Sequence, residues 1–556
     1  MSIFEKKSKL ILILVGSFVW SLTMIKSGLM YSFGLGFWGP NGHDGIWHLS
    51  LIRHLSQGRF EMPIFAGETL KNYHFGFDLI LAVLSRLTFI SPSVLYFQIV
   101  PPLIALALGA LVYKFVFAWK KSAASAWWAV FFVYFGGSWG WLVNFIKNRS
   151  LGGESMFWSQ QSISTLLNPP FALSLILLFL GLWRLTQKPT SKNLLLISTA
   201  FGFLAIVKIY AAILVLAGLS LSAIYSYFFK KDTYLLKILG LTFAINALLF
   251  LPFNKNSSSL IIFNPGWFLQ TMLSVSDRFQ WLRLYQALIS QNIFKQVIGY
   301  SLALTLFIVG NLGTRMIFLS GFKKFTSDFF SIFLLVASAA GLVIPMLFVQ
   351  AGTPWNPIQF FYYSQMFIGI LSGISLSEIL SNKKLNSQLR FTICGLVILT
   401  TLPTSVDTLR HYLPGRPPAM ISKDELAALK FLSQMPTGVV LTYPISPNPY
   451  IEAPRPLYYY ESTAYVSAMT GQPVFIEDEV NLNITGYDWP TRKKLSQEFM
   501  VQTNVLKAKA FLSQYHIRYV YSPLVAKYRP ELSAQELGGK VIFENSQAAI
   551  WEVNVK

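Results

Sequence analysis

Residues 34–78 read GLGFWGPNGHDGIWHLSLIRHLSQGRFEMPIFAGETLKNYHFGFD, a polar stretch that follows the chain's first hydrophobic segment. The chain has 24 acidic residues in 556, yet only 11 lie in residues 1–411. Four of those, Asp44, Glu61, Glu68 and Asp78, fall in this one stretch. So do four of the six histidines, His43, His48, His54 and His74. The rest of the first 411 residues is apolar with a basic fringe. Carboxylates and imidazoles gathered at one membrane face point to chemistry, or to binding of a polar ligand, at that face.

The surrounding composition makes this a membrane protein. Hydrophobic residues make up 53% of the chain and charged residues only 12%, about half the charge of a soluble domain. Apolar runs recur from residue 10 to residue 405, many near the ~20 residues that cross a bilayer as helix. Their repetition argues against a secreted protein with a cleaved leader, and no small-x-small site follows residues 10–25. The net charge of +21 is not a nucleic-acid signature. Residues 1–411 hold 31 Lys/Arg against 11 acids, and residues 412–556 hold 14 against 13. The excess therefore sits in short membrane loops, where it sets topology and meets anionic headgroups. The single cysteine, Cys394, lies in a late apolar segment and reads as a small buried side chain.

The expected architecture is a polytopic α-helical membrane domain over residues 1–411 and a soluble α/β domain over 412–556. Apolar segments near 10–25, 76–90, 93–118, 123–146, 165–186, 192–207, 209–229, 234–253, 296–320, 329–349, 361–381 and 388–405 predict about 11–13 helices. Lys6, Lys7 and Lys9 place the N-terminus in the cytoplasm and the loop 28–75 outside. Lys120 and Lys121 also read as cytoplasmic if 76–90 is re-entrant or in-plane, and as external if it spans. Lys208, between two apolar segments, either snorkels to an interface or is buried in a polar cleft. Further polar loops lie at 144–170, 254–294 and 352–365. Sequons at Asn148, Asn256 and Asn483 read as incidental.

After His411 the composition changes. LPGRPPAM (413–420) is a Pro-rich linker. DELAALKFLSQM (424–435) predicts an amphipathic helix, GVVLTY (438–443) a strand, and VLKAKAFLSQYHI (505–517) a second helix leading into the strand RYVYS (518–522). KVIFEN and AAIWEV predict a hairpin. No internal repeat, Walker A, GxGxxG, HExxH or GxSxG pattern is present, which argues against a self-contained ATP-driven pump.

The segment GHDGIWHLSLIRHLSQG (42–58), followed by MPIFAGETLKNYHFGFDLILAVLSRLTFIS (62–91), resembles the first external loop of the GT-C superfamily of polytopic glycosyltransferases. The likeness is to the group with RgtA/B/C/D-like domains, protein mannosyltransferases and aminoarabinose transferases. The segment SAMTGQPVFIEDEVNLNITGYDWPTRKKLSQEF (467–499), followed by FLSQYHIRYVYS (511–522), resembles the extracytoplasmic domains of prokaryotic GT-C-like proteins. Those families commonly carry paired residues such as Asp-Glu at the loop motif, whereas here His43-Asp44 is followed by Gly45.

The resemblance implies transfer of a sugar from a polyprenyl-phosphate donor to a polar extracytoplasmic acceptor at the cell envelope, with membrane lipids around the chain and no nucleic-acid partner. It implies Asp44 as the base that activates the acceptor hydroxyl, with burial raising its proton affinity. The alternative for Asp44 is a helix N-cap. His48 shares a helical face with Asp44, to orient it or to bind phosphate. Candidate substrate-binding residues are His43, Arg53, Glu61, Glu68, Lys71, Tyr73, His74, Asp277 and Arg278. No metal ligand set is assigned, although His43, Asp44 and His48 within six residues leave a divalent cation open. The acidic knot Glu477, Asp478 and Glu479 either caps the site, recognises an acceptor, or is a solvated loop. Two other functions compete. A transporter or flippase would use mid-membrane groups such as Lys208, and a non-catalytic scaffold would tolerate loss of Asp44.

Overall fold

The computed structural model describes residues 3–254, 260–326, 328–524 and 528–553; of the three sequons, Asn256 lies outside the described residues. The chain forms two compact units. One comprises Met1–Thr23, Pro101–Pro252 and Ser257–His411, the other Met24–Val100, Phe253–Asn256 and Tyr412–Lys556.

The first unit is helical and apolar. Among the described residues, 7 helices of the chain are long and apolar enough to cross a membrane: Pro92–Lys120, Ile209–Phe229, Tyr234–Phe253, Ile293–Phe325, Phe329–Leu347, Asn356–Leu380 and Ser387–Tyr412. The pair Ala123–Phe135 and Gly140–Asn148, bent by 47°, makes up to 8. The sequence-based count of about 11–13 is higher because it includes shorter apolar elements. Pro169–Leu185 and Ser191–Val207 are apolar but short, and Ile3–Ser21 carries Glu5, Lys6, Lys7 and Lys9 in its first turns. The segment 76–90 forms a 13-residue helix, Gly76–Thr88, stopped by Phe89 in the left-handed region. At 1.5 Å per residue it reaches about 20 Å, short of a ~30 Å hydrocarbon core. Its length leaves the non-spanning alternative.

Aromatic packing closes this unit. Trp20 meets Tyr134 edge-on with ring centroids 5.0 Å apart, and the Trp20 indole N–H donates to the Tyr134 carbonyl at 2.8 Å. The Tyr134 hydroxyl in turn donates to the Ala105 carbonyl at 2.7 Å, so no polar atom of the pair is stranded in the apolar interior. Arg315 is also fully buried here. Its guanidinium donates to the carbonyls of Leu312 and Asn311, to Gln365 at 2.8 Å, and to Gln161.

The second unit joins two stretches of sequence more than 300 residues apart. Its first sheet runs Leu29–Tyr31, Gly34–Phe37, Ala419–Ser422, Arg455–Pro456. Gly34–Phe37 pairs antiparallel with Ala419–Ser422, in the register Gly34↔Ser422 to Phe37↔Ala419. The second sheet orders Val439–Thr442, Ile517–Pro523, Ala548–Val553 and Gly539–Glu544. Only its first pair is parallel. The helices Lys423–Ser433 and Val505–Gln514 and the terminal hairpin occur where the apolar patterns predict them. The chain is therefore a multi-pass membrane protein with a C-terminal non-membrane α/β domain.

The cut after His411 coincides with a unit boundary, but residues 24–100 group with the C-terminal domain and not with the membrane helices. Backbone hydrogen bonds are the cause. Ala66 N–H donates to the Val474 carbonyl at 2.9 Å, Val474 N–H to Pro63 at 2.8 Å, and Glu477 N–H to Ile64 at 3.1 Å. The Ser50 and Ser467 hydroxyls add a buried contact at 2.8 Å. Hydropathy cannot show such pairing, because it depends on two edges that are remote in sequence.

Gly34 is required at this junction. Its φ is +128°, and a Cβ there would sit 2.1 Å from the Ile421 carbonyl oxygen. Gly34→Ala is expected to cost about 1–3 kcal/mol from backbone strain and to loosen the strand pairing. Thermal unfolding of the purified protein in detergent, with limited proteolysis of the 413–420 linker, measures both. Unchanged melting and unchanged cleavage would refute this account of the junction.

Candidate active site

The helix Asp44–Ser56 begins at the conspicuous loop motif and buries ten of its residues. Asp44 is its first residue and His43 occupies the N-cap position without a side-chain cap bond. The Asp44 carboxylate thus adds negative charge to the first turn, where the helix dipole favours it. Its side chain is 53% exposed, so the burial expected to raise its proton affinity is only partial. Gly45 has a steric reason to be glycine. A Cβ would lie 2.7 Å from the Phe97 ring and 3.4 Å from Tyr96, so a second acid has no room at that position. Tyr96 and Phe97 are held there by one π-helical turn, Leu95–Ile99, an element that often marks functional sites.

His43 is the centre of the arrangement. Its Nδ1 lies 2.8 Å from Asp44 Oδ1 and its Nε2 lies 3.2 Å from Asp478 Oδ1. Burial alone would lower the imidazole's pKa. The Asp478 charge and the hydrogen bonds to Asp44 and Asp478 outweigh it and hold the pKa well above the usual histidine value. The imidazolium then donates from both nitrogens. Asp478 is fully buried and anchored in its turn. It sits at the left-handed N-cap of Glu479–Thr485, accepting from the Asn481 backbone N–H, and its Oδ2 accepts from the Asn481 amide at 2.8 Å.

A second pair lies one turn along the helix. His48 Nδ1 is 2.7 Å from Asp78 Oδ1, and both side chains are buried. The imidazole stacks on Tyr96 with centroids 5.4 Å apart. The Tyr96 hydroxyl is buried with no hydrogen-bond partner among the described residues. The imidazole bonded to Asp44 is thus His43, while His48 goes to Asp78. Tyr73 joins this cluster, edge-on to Trp47 at 5.3 Å and stacked on His74 at 4.7 Å. Burial, then the Asp78 charge, push the Tyr73 phenol well above its ordinary pKa.

The other candidates lie elsewhere. Arg53 is in the last turn of the Asp44 helix, nine residues and about 13 Å along the axis from Asp44. Burial lowers its pKa. The neighbouring His54 is pushed down to about 3 by burial and then by Arg59, so it is neutral. Glu61 pairs with Arg59 at 3.6 Å. Glu68 lies within electrostatic reach of Tyr487 and Arg492. The Lys71 ammonium lies 4.5 Å from the centre of the Tyr487 ring, and these contacts tie the loop to the C-terminal sequence. Asp277 and Arg278 belong to the other unit, paired with each other at 2.7 Å, with Arg278 4.2 Å from the Trp158 ring. Lys208 is also in that unit. It is buried at the break between Leu204–Val207 and Ile209–Lys230, its Nζ 3.4 Å from Asn168 Oδ1. Of the two readings left open for Lys208, the structure shows the buried one.

A divalent cation finds no ready ligand set. Among the described residues no three His, Cys, Asp or Glu side chains gather so as to hold a metal ion, and both nitrogens of His43 face carboxylates. Two partners went unassigned in the sequence reading. Asp78 is visible there only as a nearby acid, and Asp478 as part of an acidic run with no stated partner. Arg315 had a direct signal, a lone arginine in an apolar stretch, which by default marks a functional or structural polar site.

No family model matches the sequence, and no curated protein matches it. Solved structures share its fold. The archaeal oligosaccharyltransferase AglB from Archaeoglobus fulgidus, in complex with an inhibitory peptide and a dolichol-phosphate, aligns with a TM-score of 0.51 at 13% identity. The alignment covers 94% of this chain and 70% of that one. A further Archaeoglobus fulgidus oligosaccharyltransferase structure, tethered to an acceptor peptide containing an NVT sequon, gives 0.50 at 14% identity, over 94% of this chain and 70% of that one. The arabinofuranosyltransferase AftD from Mycobacteria gives 0.51 at 12% identity, over all of this chain (100%) but 42% of that one. At these identities the likeness is one of fold: a polytopic α-helical membrane protein with a C-terminal α/β domain.

The raised His43 pKa fixes a pH dependence. Stability from the charged imidazole is full below the unfolded value of about 6.5 and is lost as pH rises through the higher folded-state value. His43→Gln is therefore expected to lower the melting temperature most at pH 6 and least at pH 9.5. A difference from wild type that does not change across that range would contradict the ion-paired imidazolium.

Proposed function

We propose that this chain is a GT-C membrane glycosyltransferase that moves a sugar from a polyprenyl-phosphate donor to an acceptor hydroxyl outside the cytoplasm. The observation that carries this reading is the half-exposed Asp44 carboxylate, held by His43, which is itself anchored on the fully buried Asp478. That arrangement leaves about half of the Asp44 side chain's surface (53%) to solvent and holds one of its carboxylate oxygens in place, as a positioned base requires. The GT-C-like fold supports it by analogy.

In this mechanism Asp44 takes the proton of the acceptor hydroxyl. The acceptor oxygen bonds to the anomeric carbon as the bond from that carbon to the phosphate oxygen breaks. The electron pair leaves with the polyprenyl phosphate. His43 is a positioning residue: its Nδ1–H donates to Asp44 and its Nε2–H to Asp478, so it holds the Asp44 carboxylate in place and balances its charge. His48 and Asp78 brace the helix from within, and Tyr73 and His74 line the approach. The orientation follows from Lys6, Lys7 and Lys9, which put the N-terminus in the cytoplasm and the second unit outside. Arg53, Glu61, Glu68 and Lys71 are assigned to loop attachment in place of substrate contact.

A second reading, transport of a lipid-linked or small polar solute, is favoured by the buried Lys208 at a broken helix. One experiment decides between them. Protein reconstituted in lipid is supplied with a panel of radiolabelled polyprenyl-phosphate sugars, and wild type is compared with Asp44→Asn and Lys208→Met. Transfer that falls by about 10²-fold or more in Asp44→Asn, with donor binding retained, is the expected result. Equal transfer by wild type and Asp44→Asn would remove Asp44 as the base. Solute uptake that depends on Lys208, with no transfer, would replace the enzyme reading by the transporter one.

A further inference from the structure

The C-terminal domain contains a cleft bounded by the Val439–Thr442 strand and the segments 458–465 and 476–479. Its lining includes Glu461, Glu477, Asp478 and Glu479 and no lysine, arginine or histidine. Three of the four acids are already engaged. Glu477 accepts from the Val466 and Ser467 N–H groups at 3.0 Å each, Glu479 pairs with Lys493 at 2.8 Å, and Asp478 holds His43. Glu461 is different: its carboxylate is exposed and has no hydrogen bond or ion pair among the described residues. It lies within electrostatic reach of His43, Asp44 and Asp478.

A second, independent observation points to a ligand. The Thr463 side chain also lines the cleft and is only 6% exposed. Its hydroxyl has no hydrogen-bond partner among the described residues, and an unsatisfied buried hydroxyl is a cost that a ligand can remove. Tyr443 and Tyr458 add aromatic surface to the wall.

We infer that this cleft is the acceptor subsite and that it takes an uncharged saccharide. The inference rests on the glycosyltransferase reading. Sugar hydroxyls donate to a free carboxylate such as Glu461 and exchange hydrogen bonds with Thr463, while the apolar face of a pyranose or furanose ring packs on tyrosine. A phosphate or uronate is disfavoured by the open Glu461 carboxylate, with no lysine, arginine or histidine in the lining to offset it. The donor's phosphate therefore binds elsewhere, and Asp478, which lines the cleft and bonds His43, ties the cleft to Asp44.

The test is binding by the full-length protein in lipid nanodiscs, followed by ligand-observed NMR. The probes are methyl α-mannoside, methyl β-galactoside and methyl α-arabinofuranoside, with methyl glucuronide and glucose 1-phosphate as anionic counterparts. At least one neutral glycoside is expected to bind. Its affinity is expected to fall about tenfold in Glu461→Gln, about 1.4 kcal/mol, and by a smaller factor in Thr463→Val. Glu461 is exposed, so an unchanged melting temperature should certify that variant's fold. The anionic probes are expected not to bind. Failure of every neutral probe, indifference to Glu461→Gln in a folded variant, or equal binding of the glucuronide would each overturn the inference. Binding needs no turnover. Saccharide bound in the cleft without transfer would sink the glycosyltransferase reading alone, and transfer without a cleft-dependent glycoside site would sink the inference alone.

Discussion

One imidazole joins two parts of the chain that are 435 residues apart. His43 donates to Asp44 on one side and to the buried Asp478 on the other, and each bond needs the other to make sense. A buried histidine cation with one carboxylate would be a costly defect, since burial opposes its charge. With two carboxylates it is compensated, and the exposed carboxylate acquires a fixed orientation. The loop–tail backbone bonds at 63–66 and 474–477 bring Asp478 to this position. The chemistry of the first loop is therefore conditional on the fold of the C-terminal domain.

That dependence explains why a polar loop is spliced into a soluble domain. Irregular backbone exposed to lipid has no hydrogen-bond partners, so it must be satisfied by protein. Here the strands Leu29–Tyr31 and Gly34–Phe37 extend a sheet completed by Ala419–Ser422 and Arg455–Pro456. The loop gains a ladder, and the sheet gains coverage of an edge that would otherwise invite association. The glycines at 34 and 45 mark where this docking is closest. One avoids a carbonyl and the other an aromatic pair.

The membrane class, the α/β tail and the polar cluster that holds the candidate carboxylate Asp44 are legible in the sequence, because each rests on a local signal: long apolar runs, alternating strands, and a cluster of acids and histidines in an acid-poor region. The partner of each histidine is not legible. His43 and His48 are both plausible neighbours of Asp44 on spacing alone, and only the packing of Gly76–Thr88 against the same helix gives Asp78 to His48. Lys71 reads as a substrate contact in sequence, whereas in the structure its ammonium lies over the Tyr487 ring. The count of apolar segments exceeds the number of helices that are individually long and apolar enough to cross a bilayer, because hydropathy also registers shorter helices such as the 13-residue Gly76–Thr88.

The two units also divide the polar work between them. In the second unit every engaged carboxylate of the cleft is held by a backbone amide, an amide side chain, an imidazolium or a lysine, and Glu461 remains open. In the first unit Arg315 and Lys208 are buried cations whose hydrogen-bond acceptors include amide and carbonyl oxygens. A buried cation keeps much of its field in a low-dielectric interior, whereas the open Glu461 carboxylate disfavours anions in its cleft. A reaction that separates a neutral acceptor from an anionic leaving group needs surfaces of opposite preference. The proposed transferase reading stands first on the chain from Asp44 through His43 to Asp478, and this distribution of charge over the two units agrees with it.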